Sequence, residues 1–475
     1  MIPQTQFRDL LWKVYSPDSG LNALGLEEIL APVPRVDALS LPSGARVLIR
    51  CDVDVPLKDG VVQDLSRLES LVDTIKHCVG KNWTPIIFGH LGRDPQETLA
   101  PARAALEKLL GAKIVFVPDW IDSSGQSITQ DAIATIANLA PGQIAMLENT
   151  RRYNIERVMW KIKPDAFESV IPSLYSLAKD LRENVSTTLV NEALAASNFD
   201  FSSAVLPLAL DQVAYGFYID AELRRHVKGA REATLIVFSG LKIDKLDDLE
   251  DAIDRGVLRY IIAAGSLAMA LKKAQALVDG GDFHLGIAQE DESAKIFIPS
   301  KRSEQAQRMI RKCRQQGVRV ILPMDFILQD GTVSDSIGPG KAQMDIGPKS
   351  RELFAAVLRD FSGAAGASGA AGASGSTSAS GSAKAPALFH NGVFGKFEDP
   401  KFEEGTRSFM RELAQSTKRG VRTYIGGGEG RMALLKYGAL SDATHAFTAG
   451  GTILKSLGNK HIAYVKANYV RAISK

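Results

Sequence analysis

Residues 46–56 read Arg46-Val-Leu-Ile-Arg50-Cys-Asp52-Val-Asp54-Val-Pro56, and a second run, Phe88-Gly89-His90-Leu91-Gly92-Arg93, follows in the same style. Each is a short apolar stretch that ends abruptly in charged or imidazole side chains. A parallel strand covered on both faces is continuously apolar and presents chemistry at its carboxyl end. Two such strand ends so close in sequence point to one shared pocket, lined by Asp52, Asp54, His90 and Arg93.

Outward from these runs, strand-like segments alternate with helical patterns. The expected strands are 46–50, 85–88, 113–117, 143–147 and 187–190, then 234–238, 260–263, 319–322, 387–389 and 423–425. Between them lie amphipathic segments such as 66–79, 101–110, 304–314 and 350–358. Alternating β and α over this length predicts parallel sheets with helices on both faces. At 475 residues the chain exceeds what one core supports. The expected organisation is an N-terminal extension (1–35), an N-terminal domain (36–217), a charged interdomain helix (218–230) and a C-terminal domain (231–475). The extreme C-terminus is free to pack back on the N-terminal domain. Residues 362–385 are Gly, Ala and Ser apart from Thr377 and Lys384, which predicts a flexible loop insert.

Hydrophobic content of 45% and charged content of 23% are ordinary for a globular protein. The net charge of +3 gives no global reason to expect nucleic acid or a membrane surface. Cys51, Cys78 and Cys313 have no CxxC spacing, which argues against a disulfide framework or a structural zinc. No stretch approaches the ~18–20 apolar residues of a membrane span. A cytoplasmic protein is expected.

Two nucleotide signatures are excluded. No Gly-x4-Gly-Lys-[Ser/Thr] occurs, and no complete GxGxxG follows a strand. The glycine clusters Gly426-Gly427-Gly428 and Gly450-Gly451 do follow strand-like runs, where glycine lets backbone N–H groups approach a phosphate. Arg67, His90, Arg93 and Arg151 each fall after a strand or at a helix start. Several converging guanidiniums suit an anionic small molecule, because the planar fork binds phosphate or carboxylate. Lys242 and Lys245 follow the strand 234–238, and Asn391 and Glu398 follow 387–389.

In this order the motifs resemble phosphoglycerate kinases. Arg50-Cys-Asp-Val-Asp-Val-Pro56 is similar to the family's R-V-D-F-N-V-P, His90-Leu-Gly-Arg93 to S-H-L-G-R, and Glu148-Asn-Thr-Arg151 to E-N-L-R. Leu322-Pro-Met-Asp-Phe326, Asp345-Ile-Gly-Pro-Lys-Ser-Arg351, Asn391-Gly392, Gly426-Gly-Gly428 and Ala449-Gly-Gly451 complete the set. The resemblance implies two doubly wound, Rossmann-like parallel-sheet domains facing each other across a hinged cleft. It implies a monomer that moves a phosphoryl group between 1,3-bisphosphoglycerate and ADP. Asp52, Asp54, Arg67, His90, Arg93 and Arg151 would hold the glycerate. Lys242, Asn391, Glu398, Gly426, Gly427, Gly428 and Glu429 would hold the nucleotide, with Mg2+ at Glu429. Arg67, Lys242 and Lys245 would carry the catalysis.

The chain also departs from the family. In Val190-Asn-Glu-Ala-Leu-Ala-Ala-Ser-Asn-Phe-Asp-Phe-Ser-Ser203, Phe199 stands where the family has a substrate-binding arginine, and Asn198 and Phe201 replace histidines. Asp54 replaces an asparagine, and G-G-G-D-T becomes Gly426-Gly-Gly-Glu429-Gly430. The lysine segment Ser239-Gly-Leu-Lys242-Ile-Asp-Lys245 is one residue short. Arg152 is a candidate to replace the missing guanidinium. The alternative reading is a catalytically silent relative that binds nucleotide or regulates a partner.

Overall fold

The run that opens the pattern forms the strand Arg46–Cys51, buried after its first residue. It pairs in parallel with Thr84–Phe88 on one side and Thr188–Glu192 on the other. Because successive side chains alternate faces, its apolar residues feed two cores. Leu48, Ile86 and Leu189 join one, and Val47, Ile49, Ile87 and Val190 join the other. The structure is a computed structural model that describes residues 2–370, 384–458 and 460–474.

The chain divides into two compact units, one made of residues up to Arg225 together with those from Lys460 on, the other of residues 226–459. The first contains a six-stranded parallel sheet in the order Ile114–Val117, Ile144–Leu147, Thr84–Phe88, Arg46–Cys51, Thr188–Glu192, Gln212–Tyr215. The second contains another, in the order Arg319–Ile321, Tyr260–Ala263, Leu235–Phe238, Ala387–Asn391, Arg422–Gly426, His445–Ala446. Both are α/β sheets of the doubly wound kind. In the first, the winding reverses between Arg46–Cys51 and Thr188–Glu192; in the second, between Leu235–Phe238 and Ala387–Asn391. Ligand crevices in such sheets open beyond the carboxyl ends of the strands at the reversal.

Residues 1–35 are not needed by the sheet pattern, yet they complete the first unit. The helix Gln4–Tyr15 buries Phe7, Leu10, Leu11 and Val14. Its Trp12 and Tyr15 rings pack on Phe167 at 4.9 and 5.1 Å. The C-terminal helix Ala463–Ile473 packs against it and against Phe201–Val205. The charged stretch expected as an interdomain helix is helical from Phe217 to Arg231, with a π-helical portion at Glu222–Val227. Its start is fixed by Glu192, which accepts from Thr74 Oγ1 (2.5 Å), Tyr218 N (3.1 Å) and Ile219 N (3.0 Å).

Several local readings change. The segment 66–79 is two helices, Ser66–Glu69 and Val72–Gly80, because Ser70 Oγ donates to the Arg67 carbonyl at 2.7 Å and competes with the helical ladder. The insert expected to be a linker from residue 362 is instead helical as far as Ala370, continuing the helix Pro348–Ala370. The helix is anchored by the buried Phe354, Leu358 and Phe361, and its ladder runs on past the expected boundary. Residues 371–383, the rest of that expected linker, lie outside the described residues. The strand Gln212–Tyr215 and a small antiparallel sheet (Phe326–Leu328, Val333–Ser334, Gln343–Ile346) were not foreseen. Two of the motifs turn out to build the fold. Asp325 accepts from Ser350 N (2.8 Å), Ser350 Oγ (2.7 Å) and Lys349 N (3.1 Å), capping the helix that begins at Pro348. A Cβ on Gly347 would lie 2.3 Å from the Asp325 carboxyl carbon.

Candidate functional site

At the reversal of the first sheet, a buried guanidinium organises the strand ends. Arg50 is fully buried and donates to Ser202 Oγ (2.7 Å), the Cys51 carbonyl (2.5 Å) and His90 Nδ1 (2.8 Å). A guanidinium has no acceptor, so His90 Nδ1 must be the unprotonated nitrogen. The imidazole is therefore the neutral Nε2–H tautomer, with that N–H facing Asp54 Oδ2 at 3.8 Å. Burial, then the Arg50, Arg151 and Arg67 charges, hold the His90 pKa well below its ordinary value. His90 is thus a fixed neutral donor.

Asp52 is buried and does not line the cavity; it anchors Arg67, whose Nη1 donates to Asp52 Oδ1 (3.1 Å) and to the Asp54 carbonyl (2.7 Å). Burial raises the Asp52 pKa, opposed by the Arg67 charge. Asp54 accepts from Gly92 N at 2.8 Å, which ties the two quoted runs together. Arg151 donates to the Gly92 carbonyl and lies over the Trp160 ring at 5.3 Å. Asp54, His90, Arg93, Arg151, Arg157 and Asn198 line one cavity of about 660 Å³. Arg93 is exposed at its mouth.

The departures at 198–201 fall in one stretch of the first unit. Phe199 is half-buried and packs against the apolar core, its ring edge-on to Tyr15 at 6.4 Å. Phe201 is buried in the same core. Asp200 accepts from Trp160 Nε1 at 2.7 Å. Arg152 does not fill the gap, since its guanidinium pairs with Glu148 at 3.3 Å. Arg157 and Trp160 escaped the sequence reading. They sit beyond Glu148-Asn-Thr-Arg151 in a stretch with no strand or glycine signal, and only the fold of that loop brings them to the cavity.

In the second unit, Ser239, just past the strand Leu235–Phe238, and Asn391, the last residue of Ala387–Asn391, meet at the reversal, joined by Ser239 N donating to the Asn391 carbonyl at 2.9 Å. Asn391 Nδ2 donates to the Gly426 carbonyl at 2.7 Å. Lys245 opens the helix Lys245–Asp254 and its Nζ donates to the Ser239 carbonyl at 3.0 Å. Burial lowers its pKa. Lys242, Lys245, Asn391, Gly427, Gly428 and Glu429 line a cavity of about 550 Å³. Helices Gly428–Tyr437 and Gly450–Leu457 begin there, and a Cβ on Gly450 would lie 2.6 Å from the Gly427 Cα. Backbone N–H groups of helix starts and two lysines make an anion cradle. Gly426 lies behind it in the strand Arg422–Gly426.

A second cavity, of about 250 Å³, shares Glu429 with the first and holds Glu398. Its walls include Leu241, Ile296, Val393 and Phe394, none of which the motifs had assigned to a site. An apolar slot beside a phosphate cradle is what a nucleotide base and its phosphates require.

The phosphoglycerate kinase family model matches residues 36–460. A probable phosphoglycerate kinase of Caenorhabditis elegans is 29% identical over 455 residues, covering 91% of this chain and 97% of that one. The phosphoglycerate kinase of Drosophila melanogaster is 28% identical over 451 residues, covering 90% and 96%. In fold, the chain is similar to the phosphoglycerate kinase of Coxiella burnetii (TM-score 0.68, 23% identity, covering 93% of this chain and 100% of that one). It is also similar to that of Pyrococcus horikoshii (TM-score 0.68, 20% identity, covering 92% and 99%). With a family model spanning residues 36–460, this chain belongs to the phosphoglycerate kinase family.

Proposed function

We propose that the protein is a working phosphoglycerate kinase, a phosphotransferase of glycolysis and gluconeogenesis that moves a phosphoryl group reversibly between 1,3-bisphosphoglycerate and ADP. The observation that carries this reading is the cationic cavity beyond the first sheet. There, neutral His90, Arg93 and Arg151 line the open space; Arg67 does not line it but is held behind it by Asp52 and by Asp54 of the cavity wall. The glycerate would sit in this cavity. The nucleotide phosphates would sit against Lys242, Gly427 and Gly428, with the base in the slot walled by Val393 and Phe394. Phosphoryl transfer needs alignment, charge neutralisation and exclusion of water rather than a covalent intermediate. Hinge closure is the part this reading assigns to aligning donor and acceptor.

Among the described residues no group of three or more His, Cys, Asp or Glu could cage a metal. The Glu429 carboxylate at the cradle suits a hard cation shared with nucleotide phosphates, for which one or two carboxylates suffice. Glu429 would hold that magnesium, which when bound neutralises charge on the phosphate oxygens.

Phe199, turned away from the cavity, favours a second reading in which the chain binds nucleotide without turnover. A coupled assay with 3-phosphoglycerate and magnesium ATP decides between them, with Arg67→Ala as control. Turnover abolished in the control is the expected result. Absence of turnover in the wild type, with ATP binding intact by calorimetry, would favour the silent relative.

A further inference from the structure

Among the guanidiniums of the first unit, most are already engaged. Arg50 holds Ser202, Cys51 and His90, Arg67 holds Asp52 and Asp54, and Arg152 holds Glu148. Arg157 differs. It is half-buried and lines the cavity with His90, Arg93 and Arg151, and its guanidinium has no hydrogen-bond or ion-pair partner among the described residues. Keeping a charge part-buried without a partner is costly unless a ligand or water completes it.

Its position is built in. Arg157 ends the 3-10 turn Asn154–Arg157. The preceding Glu156 is clamped by Ser202 N (3.0 Å), Ser202 Oγ (2.7 Å) and Thr150 Oγ1 (3.0 Å). Ser202 belongs to the segment that carries Phe199, and Asp200 of that segment holds the Trp160 indole. The turn with the new guanidinium and the segment with the lost one are therefore fastened to each other. The cavity's own carboxylate, Asp54, is already engaged by the Gly92 N–H and Arg67.

We propose that Arg157 is an anion-binding residue of this cavity, supplying the guanidinium that Phe199 does not, and that it contacts the phosphate or carboxylate of a small phosphorylated acid. The proposal rests on the functional reading above, which places the acidic ligand in this cavity. Three guanidiniums, Arg93, Arg151 and Arg157, then face the ligand.

Calorimetry on the full chain tests it, with 3-phosphoglycerate, inorganic phosphate and ATP as separate probes. Arg157→Ala should weaken 3-phosphoglycerate binding about ten- to a hundredfold, the loss of one charge-assisted contact. Arg157→Lys, which keeps the charge but not the fork, should lose less. Arg152→Ala should change it less than about threefold, and ATP affinity should hold in all three. Arg157→Gln repeats the test if the alanine variant lowers the unfolding midpoint. Unchanged 3-phosphoglycerate affinity in Arg157→Ala overturns the proposal while leaving the kinase reading intact. Binding of phosphate but not 3-phosphoglycerate, lost in Arg157→Ala, supports the anion site and overturns the glycerate assignment. A wild-type chain that binds neither probe overturns both.

Discussion

Gly392 sits where the winding of the second sheet reverses, and its replacement by alanine tests whether that crevice is built as described. Its φ is +101°, a region that an L side chain occupies at a cost of about 1–3 kcal/mol. A Cβ there would lie 2.2 Å from the Ser239 carbonyl oxygen and 2.7 Å from its carbon. That backbone cannot easily give way, because Ser239 N is bonded to the Asn391 carbonyl and the adjoining strands Leu235–Phe238 and Ala387–Asn391 are paired. Forced overpacking adds about 1–3 kcal/mol, for a total of about 2–6 kcal/mol. Against a typical stability of about 5–15 kcal/mol this is a large fraction. With a urea slope of about 1–3 kcal/mol per molar, the midpoint should fall by on the order of 1 M. Trp12, Trp83, Trp120 and Trp160 all belong to the first unit, so tryptophan fluorescence reports that unit while circular dichroism reports both. The dichroism transition of Gly392→Ala should move to lower urea, and ATP affinity should fall because Gly392 lines the phosphate cradle. Gly428→Ala is the control, since its Cβ would meet nothing within 4 Å and should change stability by less than about 0.5 kcal/mol. If the two variants unfold at the same midpoint, the argument for a crowded reversal is wrong.

Two further outcomes follow from the first unit. Burial pushes the Glu192 carboxyl up to about 7, above its ordinary 4.5. A raised folded pKa contributes stability that is complete below about 4.5 and disappears as pH rises through about 7, here up to about 3 kcal/mol. Fluorescence-monitored urea midpoints should therefore decline over that window, and Glu192→Gln should flatten the decline; an unaltered slope would contradict the assignment. Phe199→Arg, although it restores the family's residue type, should lower stability by roughly 2–4 kcal/mol by placing a cation against Tyr15 and its apolar neighbours. It should bring no gain in 3-phosphoglycerate affinity, and a tenfold gain would show that the side chain turns to the cavity after all.

Much of this was legible from the chain alone. The strands ending at Cys51, Phe88, Phe238 and Asn391 announce themselves because buried parallel strands are continuously apolar and their polar residues gather at the carboxyl ends. Glycines at 392 and 450 mark close backbone approaches that no side chain permits. Less legible were elements whose signal is short or borrowed. The strand Gln212–Tyr215 offers only Val213, Ala214 and Tyr215 after the polar Asp211-Gln212, and the strands of the antiparallel sheet are likewise too short to show a period. The Leu322–Phe326 and Asp345–Arg351 motifs read as site markers, yet Asp325 and Ser350 are there to cap a helix.

Local sequence determined the parallel α/β architecture, the strand ends and the kinase family, because period, glycine placement and short motifs are properties of neighbouring residues. Tertiary structure alone decided that Arg157 reaches the cavity uncommitted, that Phe199 packs edge-on to Tyr15, and which tautomer of His90 meets the cavity. Those depend on partners brought from distant parts of the chain: Arg50 to His90, Glu156 to Ser202, Arg152 to Glu148, Tyr15 to Phe199. A charged side chain is defined by what neutralises it, and only the folded packing supplies that partner.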